Sequence, residues 1–232
     1  MISVIIPTLN EQDYICGIIQ HLRNTAGENA IEIIVSDGGS SDLTVAEATR
    51  AGADRVLRSR AKGRSAQMNY GASLAKGDIL YFLHADTFPP ADFASQIQGA
   101  IKRNYSAGCF RLSFDHPHWF LEANCWFTRF DFDAFRFGDQ SLFIEADMFH
   151  RSGGFCEKHT VLEDQEIIRR VKKNARFIVM RTPVITSARK YLQNGIYKTQ
   201  GSFFLIYLMY QLGFSQSQLI RTYKTIIRQD KI

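Results

Sequence analysis

Apolar residues recur along the first ninety positions in two alternating rhythms. Ile2–Ile6 is a short β-branched run that reaches Pro7, which predicts a buried strand ending where a proline removes a ladder donor. From Glu11 to Thr25 the apolar positions are Tyr14, Ile15, Ile18, Ile19 and Leu22, the spacing of an amphipathic helix. Ile31–Val35 predicts a second strand, closed by the turn cluster Ser36-Asp37-Gly38-Gly39-Ser40-Ser41-Asp42. Ser41 or Asp42 suits the N-cap of a following helix that carries Val45 and Ala48. Arg55–Arg58 reads as a third strand and Ser65–Leu74 as a helix of small and polar residues. Ile79–Leu83 is a fourth strand, and it runs directly into His84-Ala85-Asp86.

Strands alternating with helices over short connections imply an α/β fold. The expected architecture is a mixed, mostly parallel central sheet with helices on both faces, followed by C-terminal helices. Ligands of such sheets sit at the carboxyl ends of the strands. Those ends are Pro7–Glu11, Ser36–Gly39 and His84–Asp86, all polar and each with one carboxylate, Glu11, Asp37 and Asp86.

The second half has a different texture. Phe110–Phe137 interleaves aromatic residues with Asp115, His116, Asp131, Asp133 and Arg136. Trp119, Phe120, Trp126, Phe127 and Phe130 fall at helical spacing, which favours a core role for them. Leu142–Ile144 predicts a strand and Glu166–Lys173 a helix with Ile167, Ile168 and Val171 inward. Phe177–Met180 and Val184–Thr186 predict two further strands. An apolar helix from about Gln200, a hinge at Gly213 and a basic helix close the chain. The expected division is a domain over residues 1–195, with 196–232 as a basic helical appendage of the same globular unit.

Composition narrows the field. A hydrophobic fraction of 45% supports an ordinary core. No apolar run approaches the roughly 20 residues of a spanning helix. The segment at Met1–Glu11 lacks the basic region of a signal peptide, so a cytoplasmic location is expected. Cys16, Cys109, Cys125 and Cys156 are scattered and read as reduced thiols; Cys109, His116, His118 and Cys125 match no common zinc spacing. Charge is uneven. Residues 1–164 hold 15 Lys+Arg against 21 Asp+Glu, and residues 165–232 hold 13 against 2. The basic end fits either an anionic partner or a solvated face.

The candidate chemistry rests on carboxylates at strand ends. No GxGxxG or GxxxxGK[ST] is present, which removes the main feature of nicotinamide and P-loop sites. Asp37 suits either hydrogen bonding to a nucleobase or ribose, or a simple Asx-turn, and Gly39 permits close approach of a ligand to the backbone. Asp86, at the tip of a buried strand, needs a partner, water or a cation. Hard divalent ions accept one carboxylate and complete their shell with phosphate and water.

Five segments then occur in order: SVIIPTLNE at Ser3–Glu11, EIIVSDGGSSDLT at Glu32–Thr44, GRSAQMNYGASLAKGDILYFLHADT at Gly63–Thr87, GGF at Gly153–Phe155 and LED at Leu162–Asp164. Together they resemble the family 2 inverting glycosyltransferases, with their GT-A nucleotide-sugar fold. The match is closest to a compact bacterial subgroup that has HAD where relatives have DxD. FGDQ at Phe137–Gln140 and TSAR at Thr186–Arg189 fit that subgroup too. The resemblance implies a role for each matching residue. Pro7, Leu9, Glu11, Asp37, Gly39 and Arg64 would form the nucleotide pocket, with a uracil base and UDP-linked donor favoured. Asp86 would hold the Mn²⁺ or Mg²⁺ that bridges the diphosphate. Asp164 would be the general base. Asp139, Gln140, Glu163 and Arg189 would contact donor or acceptor, and Arg189, Lys190 and Arg181 could reach the diphosphate.

His84 occupies the slot of the first acid. It shares a face with Asp86 on an extended segment, and two roles stay open: a metal ligand favouring Mn²⁺, or a hydrogen-bond donor to ribose or phosphate. The acceptor is an unknown hydroxyl compound, lipid-linked or small. The helix Phe203–Leu212, with Arg221, Lys224, Arg228 and Lys231, admits peripheral membrane contact at the inner face, a homodimer contact or packing on the sheet. Two other functions compete, a nucleotidyltransferase and a nucleotide-sugar or membrane-surface module without turnover. The first lacks its Gly/Arg/Lys-rich loop near the N-terminus, and retention of both Asp86 and Asp164 speaks against the second. Nucleic acid is not an expected partner.

Overall fold

A computed structural model describes every residue except Arg60, Lys62, Phe137 and 229–232. Phe137 of the FGDQ segment and Lys231 of the basic tail therefore lie outside the described residues. The elements in chain order are β1 (Ile2–Thr8), α1 (Gln12–Thr25), β2 (Ile31–Asp37), α2 (Thr44–Arg50), β3 (Arg55–Arg58), α3 (Arg64–Ser73) and β4 (Ile79–Phe82). Then follow β5 (Thr87–Phe88), α4 (Phe93–Lys102), β6 (Ala107–Phe114), α5 (Trp119–Phe127), β7 (Leu142–Glu145), α6 (Ala146–Arg151) and α7 (Glu163–Lys172). The chain closes with β8 (Phe177–Thr186), α8 (Arg189–Asn194), α9 (Ile196–Gln211) and α10 (Gln216–Ile226). One sheet runs in the order β3-β2-β1-β4-β7-β6-β8-β5.

The strands β3, β2, β1 and β4 are mutually parallel, so the ends of β1, β2 and β4 open on one edge. β7 enters antiparallel to both β4 and β6, and β8 runs parallel to β6. Period-two alternation sorts the core. Val4, Ile6, Ile33, Val35 and Tyr81 face the helices α1 and α4. Ile5, Ile34, Leu80 and Phe82 face α3, α6 and α7. Helices therefore cover both faces, the usual condition for a parallel sheet.

Several boundaries differ from the sequence expectation. β1 continues through Pro7, which pairs with Ser36. The ladder to β4 stops at Ile5 and Phe82, with Leu83 donating to Ile5, whereas Thr8 accepts from Gly38 on the β2 side. The missing donor of Pro7 therefore faces the side where β4 has already turned away, so no ladder bond is lost. Phe177–Thr186 is one strand rather than two; a register shift opposite Cys109 and Arg111 absorbs the irregularity at Pro183. α7 begins at Glu163, three residues earlier than the apolar period indicated. Leu43 rather than Ser41 or Asp42 is the N-cap of α2, although the Asp42 carboxylate still accepts from Thr44 N at 3.0 Å.

The aromatic segment departs most. Of α5 only Leu121 is buried, while Trp119 is 66% and Trp126 46% exposed. These rings are surface, not core. Beyond Gly195 (φ +90°), α9 and α10 pack against each other and against Val161 and Leu162 through Ile206, Leu219 and Tyr223.

Candidate functional site

The short β5–β8 pairing brings the chain after β8 back over the end of β4. Thr87 pairs with Thr186, their hydroxyls meet at 2.8 Å, and Ser187 N donates to Asp86 O. Arg189, the first residue of α8, is thereby delivered to the strand-end edge. Its guanidinium donates to both Glu11 oxygens at 2.9 Å, lies 2.9 Å from Asp86 Oδ2, and sits over the Tyr14 ring at 4.4 Å. Burial acts to lower its pKa, but the Glu11 hydrogen bonds and Asp86 outweigh that and raise it. Burial pushes the Asp86 carboxyl above the usual range in spite of Arg189.

His84 is oriented by a residue from the other half of the chain. Its Nδ1 lies 3.2 Å from Asp139 Oδ1, in the 3-10 turn Gly138–Gln140. The pairing engages Nδ1, so Nε2 is the nitrogen available to a ligand. Burial opposes ionisation of Asp139, yet the hydrogen bond and charge of His84 hold its pKa well below the carboxylate norm.

Asp164 and Glu163 open α7 behind Leu162, which sits in the left-handed region at φ +63°. Such a backbone costs a branched residue about 1 kcal/mol or more, and here Leu162 is held by its packing against α9 and α10. Glu163, 3% exposed, pairs with Arg64 Nη1 at 3.1 Å. Burial, then the neighbouring Glu163, push the Asp164 carboxyl up to about 7, against the opposing pull of His84 and Arg64. Like-charge repulsion and desolvation thus exceed the help of the helix N-terminus.

Two clefts meet here. One is lined by Pro7, Glu11, His84, Asp86, Arg189 and Arg228. The second is lined by Glu163 and Asp164 together with the apolar Leu112, Leu162, Phe204 and Ile206. Arg64, Phe114, Asp139, Lys190, Tyr191 and Phe203 line both. Gln165 also lines the second cleft, 1% exposed, and neither its Nε2 nor its Oε1 has a hydrogen-bond partner among the described residues.

Not every expected residue joins this arrangement. Asp37 is 1% exposed and makes the Asx-turn: Oδ2 accepts from Gly39 N and Ser40 N at 2.9 Å, and Oδ1 from the Ser40 and Thr8 hydroxyls. Gln140 is buried and lines neither cleft. Its Oε1 accepts from Arg136 at 2.8 Å, and its Nε2 donates to Phe135 O at 2.8 Å. Arg181 is exposed on β8 and lines neither cleft. Leu9, on the segment after β1, is half-buried and also lines neither cleft. Tyr191, Phe114 and Phe203 carried no sequence signal, because only the tertiary crossing of β6, α8 and α9 assembles them. Cys109 and Cys125 are free thiols, and among the described residues no group of three His, Cys, Asp or Glu side chains converges for a metal.

The residues present can still hold a metal of one kind. Asp86 and His84 offer a carboxylate and an imidazole at one strand end. That sparse donor set fits a divalent ion that takes its other ligands from phosphate and water.

Solved structures share this architecture. A mannosyltransferase from Pyrobaculum calidifontis, in complex with GDP-Man and Mn²⁺, superposes with a TM-score of 0.71 at 16% identity, covering 97% of this chain and 67% of that one. Glucosyl-3-phosphoglycerate synthase from Mycobacterium tuberculosis, in complex with Mn²⁺, UDP and phosphoglyceric acid, gives 0.63 at 17% identity, covering 92% and 79%. The fold is the GT-A fold of glycosyltransferases. The sequence profile of glycosyl transferase family 2 matches residues 3–155, and the chain belongs to that family. Among characterised relatives, a glucosyl-3-phosphoglycerate synthase of Mycolicibacterium smegmatis is 30% identical over 96 residues, which is 38% of this chain and 32% of that protein. An uncharacterised glycosyltransferase of Mycobacterium tuberculosis is 35% identical over 103 residues, 43% of this chain and 39% of the relative. The chain thus spans about a third of the length of the curated relatives it matches.

Proposed function

We propose that this chain transfers a sugar, with inversion, from a nucleoside-diphosphate sugar to a hydroxyl acceptor, and that the donor is UDP-linked. The observation that carries the reading is Asp164. It is a carboxylate at the head of α7, on the wall of a cleft that adjoins the His84–Asp86 cleft, with a pKa of about 7. A general base works best when its pKa lies near the working pH.

In this reading Asp164 takes the proton of the acceptor hydroxyl as that oxygen bonds to the anomeric carbon. The bond from that carbon to the diphosphate oxygen breaks on the opposite face, so one displacement inverts the centre. Arg189 and Lys190 offset charge that builds on the leaving diphosphate. Arg64, tied to Glu163, holds the start of α7 against α3 and restrains the Asp164 pKa from rising further. A divalent ion, Mn²⁺ or Mg²⁺, would be held by Asp86 with His84 beside it and would supply Lewis-acid stabilisation of the diphosphate. Asp139 keeps the His84 ring in place and also lines the cleft beside Asp164, which would receive the acceptor. The Gln165 amide, without a partner among the described residues, would gain one from a polar acceptor head, since a buried amide left unpaired costs about 1–3 kcal/mol. Residues 1–195 would carry the transfer chemistry, with 196–232 as the appendage that closes the acceptor side.

A thermal-shift panel of UDP, GDP, CDP and dTDP sugars, with and without Mn²⁺, tests the donor. At a hundredfold excess over Kd, binding stabilises by ~2.7 kcal/mol, or roughly 5–10 °C in Tm for a chain of this size. A UDP sugar with Mn²⁺ should give that rise. A flat response to every donor would overturn the proposal.

A further inference from the structure

α9 is built inside out. Its buried positions are Thr199, Gln200, Ser202 and Ile206, three of them polar. Its exposed stripe carries Tyr197, Phe204, Leu205, Leu208 and Leu212, at 41–68% exposure. These lie at helical spacing on one side, where a solvated helix would place charge. The stripe continues onto α5: the Tyr197 ring meets Phe120 at 4.8 Å and the exposed Trp119 at 6.5 Å. It also reaches the cleft beside Asp164, because Phe204 belongs to both the stripe and the cleft wall. No helix among the described residues is long and apolar enough to cross a membrane. An exposed apolar stripe on a segment that also carries cations can instead lie in the bilayer interface.

Charge selects the occupant. Outside the two clefts, Lys198 on α9 and Arg221 and Lys224 on α10 are exposed cations, and from Lys190 to Arg228 the sequence has no carboxylate. A second copy would set this cationic segment against itself, whereas an anionic leaflet would neutralise it. We propose that the α5–α9 face docks on an anionic lipid surface, so that the cleft beside Asp164 opens at the lipid plane and takes a lipid-borne hydroxyl as acceptor. The docking stands on the surface alone; the acceptor class rests on the proposed transfer reaction.

The only two tryptophans, Trp119 and Trp126, both lie exposed on α5 and report on this face directly. The full chain is mixed at low salt with phosphatidylcholine vesicles, with or without 30% phosphatidylglycerol, and with brominated lipid as quencher. The expected result is at least tenfold tighter sedimentation with anionic vesicles, a blue shift, and quenching by brominated lipid. The double variant Leu205→Glu/Leu208→Glu should lose at least tenfold in binding. Its thermal shift with UDP-sugar and Mn²⁺ should equal that of the parent chain, which shows that it is folded. Absence of sedimentation with anionic vesicles overturns docking, as does sedimentation unchanged in the variant. A dimer in analytical ultracentrifugation that the variant dissolves, without vesicle binding, assigns the face to a second copy and also overturns it. If vesicles bind but no donor shifts the melt, the transfer reading fails and docking stands.

Discussion

Replacing Asp164 by Asn should stabilise the fold while removing the base. The wild-type carboxyl has a pKa of about 7 in the folded chain against 3.8 for the ordinary group. The folded state therefore holds a proton that the unfolded state releases between those values, and stability falls as pH rises through that window. Above about pH 7 the buried carboxylate is ionised and its full penalty is present. At ~1.4 kcal/mol per pH unit the interval from 3.8 to about 7 sets a ceiling of roughly 4 kcal/mol. Asn keeps the shape and never ionises. If half of the ceiling survives relaxation, ~2 kcal/mol corresponds to a Tm gain of about 4–8 °C. Thermal melts of both proteins from pH 4 to 9 should show a gap that opens with rising pH and becomes constant above about 7. A gap that is constant across that range, or one that widens toward acid, would refute the argument that burial and Glu163 hold Asp164 protonated.

Three further outcomes follow from the same geometry. The acid limb of kcat/KM should fall tenfold per pH unit below about 7, and Arg64→Gln should move it upward, because Arg64 is one of the charges that restrain Asp164; a limb that stays in place would separate Arg64 from the base. Arg189→Gln leaves Glu11 and Asp86 without their shared cation, which should cost roughly 2–4 kcal/mol in denaturant melts and weaken nucleotide binding, and unchanged affinity would remove Arg189 from the diphosphate site. Asp139→Asn should loosen the His84 ring and weaken Mn²⁺-dependent donor binding by 10-fold or more, as removal of a supporting partner does in metal sites; equal Mn²⁺ titrations in both proteins would restrict Asp139 to the acceptor side.

The sheet was legible where local pattern and tertiary role agree. β3 lies where the short run at Arg55–Arg58 placed it, and the edge that gathers Glu11, His84 and Asp86 follows from strand order alone. The pattern misled where burial and period part company. The aromatic spacing of α5 is that of a core helix, yet its rings lie on the surface. β6 has no clean alternation, because its residues Arg111–Phe114 are only half-buried. The site's pairings were beyond reach for a different reason. Glu11 and Arg189 stand 178 positions apart, and only the β5–β8 crossing brings them together. Likewise nothing near Gln140 in the sequence indicates that its amide oxygen holds Arg136 inside the loop.

The central claim is that donor binding and proton abstraction belong to separate residues in adjoining clefts. Calorimetric titration of UDP-sugar with Mn²⁺ into the parent chain and into Asp164→Asn, beside transfer rates for both, tests it most directly. Nucleotide affinities should agree within about twofold, and the transfer rate should be lower by 10²–10⁴ in the variant, the range for a lost general base. Loss of binding together with transfer, or a transfer rate unchanged by the substitution, would contradict it.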